Sequence, residues 1–236
     1  KSGFDPLNEH WPDWLKPLGI IDCLPAVVSP GTAIGRLSPA LTRSLGLTEP
    51  AIIRAGTTDS TAAFIASGAR QPGQAMTVLG STIVLKLLSN HPVFDHKHGI
   101  YSHRLGDLWL TGGASNTGGC VLKHFFTDTD IERLSTQIDI NAATADYYPL
   151  LSPGERFPIA DQDIVPKHSP RPDDDVLFLH GLLTSMARIE QEGYQLLSKL
   201  ITTPLDSVIT SGGGSRNKIW QTIRGQYLAV PVITAE

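Results

Sequence analysis

The pattern of apolar and polar positions predicts strands and helices along most of the chain. Short β-prone runs that end at turns of small residues are typical of strands, and apolar residues repeated every three or four positions are typical of helices. The predicted strands are residues 33–37, 51–55, 75–78, 83–88, 100–104, 108–111, 207–210 and 230–234. The predicted helices are residues 38–47, 61–69, 120–126, 182–201 and 218–228. The run at 51–55 is apolar, which predicts a buried strand.

The clearest predicted helix is residues 182–201. Its apolar face is made of Leu183, Met186, Ile189, Gly193, Leu196, Leu197 and Leu200. Glu190 and Glu192 are predicted to lie off that face. We interpret this helix as core packing.

An acidic turn follows the strand at 51–55. Asp59, Ser60 and Thr61 come directly before the next predicted helix. Side-chain oxygens in this position commonly cap a helix, because they accept its first unpaired N–H groups. The other interpretation is a carboxylate that holds a hydroxylic substrate. The residues by themselves leave both interpretations open.

Three further turns carry small or hydroxyl residues at the ends of predicted strands. Gly80-Ser81-Thr82 is either a plain hairpin turn or a place where a phosphate binds. Residues 112–119 and 211–217 are glycine-rich and precede predicted helices, an arrangement in which backbone N–H groups can meet an anion. Close packing of a helix on a strand is the alternative. Neither loop has the spacing of a P-loop or of a dinucleotide fingerprint, so the combination suggests nucleotide binding without a P-loop.

The segment 91–103 contains four histidines and Asp95. Histidines and a carboxylate suggest zinc, but their spacing matches no standard site. We therefore favour a histidine-rich hairpin loop.

Composition narrows the class of protein. The chain has 236 residues, 41% of them hydrophobic and 18% charged, which is ample for a core and suggests one large or two small domains. The net charge is −4 without a basic stripe, so neither a nucleic acid nor a membrane is an expected partner. Cys23 and Cys120 form no disulfide framework, which fits a reducing compartment such as the cytoplasm.

Seven segments in the same order resemble the FGGY family of carbohydrate kinases, which includes glycerol kinase and xylulokinase. Four of them are GTTDSTAAF at 56–64, PGQAMTVLGST at 72–82, GGASNTGG at 112–119 and SGGGSRNKIWQTI at 211–223. The others are the run from Trp14 to Leu47, SPGERFP at 152–158 and HGLLTSMARIEQEG at 180–193. These residues look closest to a plant and cyanobacterial branch similar to D-ribulose kinases, for which a plastid stroma is a second expected location.

The resemblance implies an α/β fold of two ribonuclease H-like domains, as in actin and hexokinase, with ATP and sugar in the cleft between them. Residues 1–68 then form the end of the first, sugar-binding domain. Residues 69–236 form the second, nucleotide-binding domain without its C-terminal end. We expect the chain to be a carboxy-terminal portion of a kinase, which can bind nucleotide without catalysing on its own.

The resemblance also implies roles for individual residues. Asp59 matches the carboxylate that contacts the sugar and acts as general base, and Ser60 matches a second sugar contact. The residues that match the nucleotide site are Gly80, Ser81 and Thr82 at the γ-phosphate turn, Gly118 near the phosphates, and Gly213, Gly214 and Asn217 at the adenine-side loop. The γ-phosphate turn departs from the family in its order, Gly-Ser-Thr in place of Gly-Thr-Ser.

The predicted function is ATP-dependent phosphorylation of a sugar hydroxyl, with a ketopentose such as D-ribulose or D-xylulose as substrate. The expected cofactors are ATP and Mg²⁺, and the expected partners are the sugar, ATP and a second copy in a homodimer. Two alternatives remain. One is an actin-like nucleotide-binding module without sugar kinase activity, and the other is a metal-dependent hydrolase that uses the histidine loop.

Overall fold

The computed structural model describes residues 3–235 and divides the chain into two compact units between Ala63 and Phe64. We refer to residues 3–63 as unit 1 and to residues 64–235 as unit 2. Which ligand each unit binds is a separate question, and the assignment of residues 1–68 to sugar and 69–236 to nucleotide stays a prediction.

Unit 1 contains little regular structure. Its elements are 3₁₀ turns at Asp13–Leu18 and Ile21–Cys23, strands β1 (Ala33–Arg36) and β2 (Ile52–Arg54), helix α1 (Pro39–Ser44) and the start of helix α2 (Asp59–Ala66). Strand β1 pairs antiparallel with β2, and Ser38 caps α1 by accepting the Leu41 N–H at 3.3 Å. The strand predicted at 51–55 is therefore present. Its predicted burial is wrong, because Ile52 and Ile53 lie in a two-stranded sheet and are 47% and 41% exposed.

Unit 2 is built on a six-stranded mixed sheet. Its strands are β3 (Gln74–Leu79), β4 (Ile83–Ser89), β5 (Tyr101–Leu105), β6 (Leu108–Ala114), β7 (Ser207–Ser211) and β8 (Val232–Thr234). Its helices are α3 (Gly119–Phe125), α4 (Asp128–Ser135), α5 (Asp175–Ile201) and α6 (Lys218–Leu228). The strand order is β5-β6-β4-β3-β7-β8, in which β3, β4, β6 and β5 pair antiparallel and β7 and β8 run parallel to β3.

Helix α5 forms the centre of the main core. It begins earlier than the predicted residue 182, because Asp174 caps it by accepting the Val176 N–H at 2.8 Å. Its buried residues pack with apolar residues of the sheet, including Leu85 and Leu87, and of α6. A smaller cluster around Phe64, Met76 and Leu110 forms a second hydrophobic core. None of the helices within residues 3–235 has the length and hydrophobicity that crossing a membrane requires.

The prediction that Glu190 lies off the apolar face of α5 is wrong. Glu190 and Arg224 are each 1% exposed or less, and they form a two-pronged ion pair with N–O distances of 2.6 and 2.7 Å. Thr77 on β3 donates to Glu190 at 2.5 Å, and Arg224 donates to Thr210 on β7 at 2.7 Å. The group therefore ties α5, α6, β3 and β7 together inside the core.

Lys86 on β4 is also a buried cation. It is 4% exposed, its ammonium lies 4.7 Å from the centre of the Tyr101 ring, and no carboxylate of residues 3–235 pairs with it. Burial lowers its pKa from 10.5 to about 8, because the charged form loses hydration. The charge of Lys86 therefore opposes folding at neutral pH.

Replacing Lys86 with methionine is expected to stabilise unit 2 at pH 7 by roughly 3 kcal/mol, the value of the pKa shift. Since the pKa is lower in the folded state, wild-type stability should rise as the pH increases from about 8 past 10.5, and the advantage of Lys86→Met should disappear there. Urea denaturation at pH 7 and pH 10.5 measures this. The exposed Lys97→Met is the control. Equal stability of Lys86→Met and wild type at pH 7 would contradict the interpretation.

Candidate active site

Three strands of unit 2 point their carboxyl ends to the same edge of the sheet. Strand β7 is parallel to β3, and β6 also runs in the direction of β3 because both are antiparallel to β4. The segments that follow these strands contain all the predicted nucleotide-binding residues. The sheet topology therefore brings the predicted nucleotide-binding residues to one edge, although Gly80 and Asn217 lie more than a hundred residues apart in sequence.

The first segment is the turn Gly80–Thr82 between β3 and β4. It closes a β-hairpin, in which the Gly80 N–H donates to the Thr82 carbonyl at 3.2 Å. The carbonyls of Gly80 and Ser81 accept the N–H groups of Gly119 and Cys120 at 2.9 and 3.1 Å. The hairpin interpretation is thus confirmed, and the turn is joined directly to the start of α3.

The second segment follows β6 and contains Gly118. Gly118 has φ +150°, and a Cβ at this position would lie 2.7 Å from the Ser81 carbonyl oxygen and from the Thr82 Cα. Only glycine allows so close an approach of the two backbones. Gly118 therefore has a structural role in the contact between this loop and the turn, whatever ligand is present.

The prediction of one long glycine loop at 112–119 is wrong in its first half. Gly112 and Gly113 belong to β6, where they are needed for packing: a Cβ on Gly112 would be 2.0 Å from the Leu85 carbonyl oxygen, and one on Gly113 would be 2.5 Å from the Phe157 ring. The loop proper is only 115–118. Its anion-binding capacity also differs from the prediction, because the first N–H groups of α3 are already bound to the hairpin turn.

Three backbone N–H groups at this junction have no acceptor in the described part of the chain; Ser81 is exposed, Thr82 is half-buried and Gly118 is buried. Within residues 3–235, no backbone carbonyl and no side chain accepts the N–H of Ser81, Thr82 or Gly118. Grouped N–H donors of this kind can bind an anion such as a phosphate. The donors therefore come from the hairpin turn and the Gly118 loop and not from the helix itself.

The third segment follows β7 and contains Gly213, Gly214 and Asn217. A Cβ on Gly214 would meet the Trp220 ring at 2.7 Å and Leu79 at 2.8 Å, so this loop packs against the residue before Gly80. Gly213 is exposed, with open space beside it. Asn217 caps α6 by accepting the Trp220 N–H at 3.0 Å and donates to the Ser135 hydroxyl at 2.8 Å. Its amide therefore positions the loop, and Gly213 offers the open surface.

The predicted sugar-binding residues lie in unit 1, at the start of α2. Asp59 and Ser60 are both exposed, and the Ser60 N–H donates to one carboxylate oxygen of Asp59 at 2.7 Å. Asp59 is the first residue of α2, and this bond joins it to the next residue, so it is not the bond of an N-cap, which comes from the second or third helical N–H. The second carboxylate oxygen has no donor among residues 3–235, so it remains able to accept a hydrogen bond from a hydroxyl.

Sequence reasoning missed Glu155 as part of this site. Its carboxylate is 3% exposed and accepts hydrogen bonds from the Ser115 hydroxyl at 2.6 Å and the Asn116 N–H at 2.7 Å. Both donors belong to the loop that carries Gly118. The available signal was the motif SPGERFP, which resembles a family segment but gives no role for its acid.

The histidine segment holds no group of ligands suited to a metal. His98 bonds Asp95 through Nδ1 at 2.7 Å, which helps to close the short 3₁₀ turn His96–His98. Nowhere in the described chain do three or more His, Cys, Asp or Glu side chains gather as a metal site would require.

Comparison with known proteins identifies the family. The profile of the FGGY family of carbohydrate kinases, C-terminal domain, matches residues 75–236. A xylulose kinase of Staphylococcus epidermidis is 22% identical to this chain over 97% of its residues and 48% of the relative. A gluconokinase of Bacillus subtilis is 22% identical over 84% of this chain and 42% of the relative. The chain thus spans about half the length of these relatives.

Solved structures show the same fold. The ligand-bound xylulose kinase from Lactobacillus acidophilus superposes with a TM-score of 0.83 at 17% identity, covering 99% of this chain and 50% of that one. The glycerol kinase of Plasmodium falciparum with ADP gives 0.81 at 15% identity, over 98% and 49%. The predicted ribonuclease H-like, actin/hexokinase-like fold is therefore confirmed. Together, the matching profile and the shared fold show that this chain belongs to the FGGY family of carbohydrate kinases.

Proposed function

We propose that the protein transfers the γ-phosphoryl group of ATP to a hydroxyl of a sugar, and that unit 2 supplies the nucleotide site. The observation that carries this proposal is the convergence of Gly80–Thr82, Gly118 and Gly213–Asn217 at one edge of the sheet. The unbound N–H groups of Ser81, Thr82 and Gly118 suit the phosphates. The open face at Gly213 suits the flat adenine ring.

The residues present also fit a magnesium nucleotide. Glu155 is a buried acid that is hydrogen-bonded to the loop of Gly118. Protein donors occupy both of its oxygens, so it is not available as a metal ligand. Mg²⁺ keeps several waters and commonly binds through substrate phosphates. We therefore propose that Mg²⁺ enters with ATP and neutralises the phosphate charge, without a protein ligand from the loops of unit 2.

For the sugar, we propose a ketopentose, with D-ribulose as first choice and D-xylulose as second. The support is the resemblance of the sequence motifs and the naming of several similar proteins as xylulose kinases. A gluconokinase is among the relatives as well. Asp59 is proposed to accept the proton of the attacking hydroxyl, as a carboxylate within hydrogen-bond reach can do.

Calorimetric titration of Mg·ATP into this chain, with and without D-ribulose, tests the proposal. We expect saturable binding of ATP that tightens when the sugar is present. Gly118→Ala should weaken ATP binding about tenfold or more, because its Cβ would push the loop away from Ser81 and Thr82. Gly225→Ala is the matched control, since Gly225 lies in α6 with open space around it and should bind like wild type.

The outcomes separate the alternatives. ATP binding without any effect of D-ribulose or D-xylulose would leave the nucleotide site standing and put the sugar site outside this chain or assign it to another substrate. A folded chain that binds no ATP, or a Gly118→Ala variant that binds as tightly as wild type, would contradict the proposed nucleotide site.

A further inference from the structure

Glu155 is a buried carboxylate that no cation neutralises. No Lys, Arg or His within residues 3–235 forms an ion pair with it, and five hydrogen-bond donors surround its two oxygens. The donors are the Ser115 hydroxyl at 2.6 Å, the Asn116 N–H at 2.7 Å, the Arg156 N–H at 2.8 Å, the Tyr148 hydroxyl at 3.3 Å and the Phe157 N–H at 3.4 Å. These donors occupy both oxygens of the carboxylate.

Glu155 and its two neighbours in sequence bind the backbone N–H and the side-chain amide of Asn116. The Asn116 side-chain amide donates to the Gly154 carbonyl at 2.9 Å, and its oxygen accepts from Arg156 Nε at 2.6 Å. Together with the N–H bound to Glu155, all of these polar groups of Asn116 are bound to three consecutive residues. The segment Gly154–Arg156 therefore acts as a clamp on the loop that follows β6.

Hydrogen bonds continue from this clamp to the hairpin turn. The Ser115 hydroxyl, which donates to Glu155, accepts the Thr117 N–H at 3.1 Å. The Thr117 carbonyl then accepts the Ile83 N–H at 2.8 Å, next to the turn. Gly118 follows at once and packs against Ser81 and Thr82. Glu155 is thus connected by an unbroken series of short contacts to the three free N–H groups.

We propose that Glu155 is a positioning residue for the phosphate-binding part of the nucleotide site. It fixes the loop 115–118 against the hairpin turn, so that the N–H groups of Gly118 and of the turn keep one spacing before the nucleotide arrives. This inference rests on the proposed function. A carboxylate suits the task because one of its oxygens accepts the Asn116 N–H while the other accepts the Ser115 hydroxyl.

The test compares Glu155→Ala, which removes both accepting oxygens, with wild type in two measurements. In the ligand-free chain, amide hydrogen exchange should become faster at residues 116–119 in the variant, because the loop is no longer held. In titrations with Mg·ATP and with adenosine, the variant should lose roughly tenfold in affinity for ATP and little for adenosine, since only the phosphate contacts are displaced. The exposed Glu49→Ala should change neither measurement.

A general loss of stability would not produce this selectivity. If Glu155→Ala does not fold, Asn116→Ala removes the side-chain part of the clamp while the Glu155 carboxylate keeps its remaining donors, and the same selective loss is expected. Unchanged exchange and an unchanged ratio of ATP to adenosine affinity would overturn the inference. A wild-type chain that binds no Mg·ATP would instead overturn the proposed function, and this result is visible before any variant is made.

Discussion

Replacing Arg224 with alanine is expected to lower the free energy of unfolding of unit 2 by about 3–5 kcal/mol. Arg224 is fully buried and provides both prongs of the ion pair with Glu190. Its removal leaves a buried carboxylate whose one remaining hydrogen-bond donor among residues 3–235 is Thr77, and an unpaired charge is costly in the interior. Equilibrium urea denaturation followed by tryptophan fluorescence and circular dichroism measures the change.

The control for this prediction is an ion pair at the surface. Arg133 contacts Asp130 at 3.1 Å on α4, with both side chains well exposed, and Arg133→Ala should cost less than about 1 kcal/mol. The double variant Glu190→Met with Arg224→Met should recover much of the lost stability, because it removes both charges together. An Arg224→Ala protein within 1 kcal/mol of wild type would show that the pair is not a structural requirement.

The same ion pair has a consequence for the candidate site. Thr77 precedes the Gly80–Thr82 turn on β3, and Thr210 precedes the third loop on β7. Because Glu190 and Arg224 bond one threonine each, they fix the two strands from which these loops leave. Arg224→Ala is therefore expected to loosen both loops in addition to destabilising the unit.

Asp59→Asn is expected to reduce sugar-dependent turnover by about 10²–10⁴-fold, the contribution usual for a group that takes a proton in the transition state. The measurement is release of ADP by a polypeptide of the relatives' full length that contains this chain. Asparagine keeps an oxygen that can accept the Ser60 N–H, so the start of α2 should be preserved. What it lacks is the ability to accept a proton from a hydroxyl.

Two controls make the Asp59 result specific. Asp22→Asn changes another exposed aspartate of unit 1 and should leave turnover unchanged. Mg·ATP affinity of Asp59→Asn should stay close to that of wild type, which separates loss of the base from loss of the nucleotide site. Turnover of Asp59→Asn within a few-fold of wild type would mean that Asp59 is not the general base.

The local sequence determined the order and type of the elements in unit 2. Strands β3 and β4, the turn between them, the hairpin β5–β6 and helix α6 lie where the pattern predicts them. These elements are set by short-range features, such as apolar runs that end at glycine and the cap of α6 at Asn217. The three loops at strand ends were recognisable for the same reason.

The helical spacing of residues in α5 and α6 also indicated that Glu190 and Arg224 are buried, but a search for apolar residues alone misses this. Glu190 lies four residues after Met186 and seven after Leu183, and Arg224 lies four residues after Trp220. These spacings place both charges among core residues. Each helix alone gives its charge no partner, so a solvent-exposed position was the natural expectation for Glu190.

Only the tertiary structure decided which polar residues are partners and which glycines serve packing. Glu155 meets Ser115 across forty residues of sequence, Glu190 meets Arg224 across thirty-four, and Gly113 meets the Phe157 ring. Local pattern reports the conformation that a segment favours. The effect of a buried charge or of a glycine on stability depends on atoms from distant segments. Those atoms are brought together only when the sheet and its helices pack.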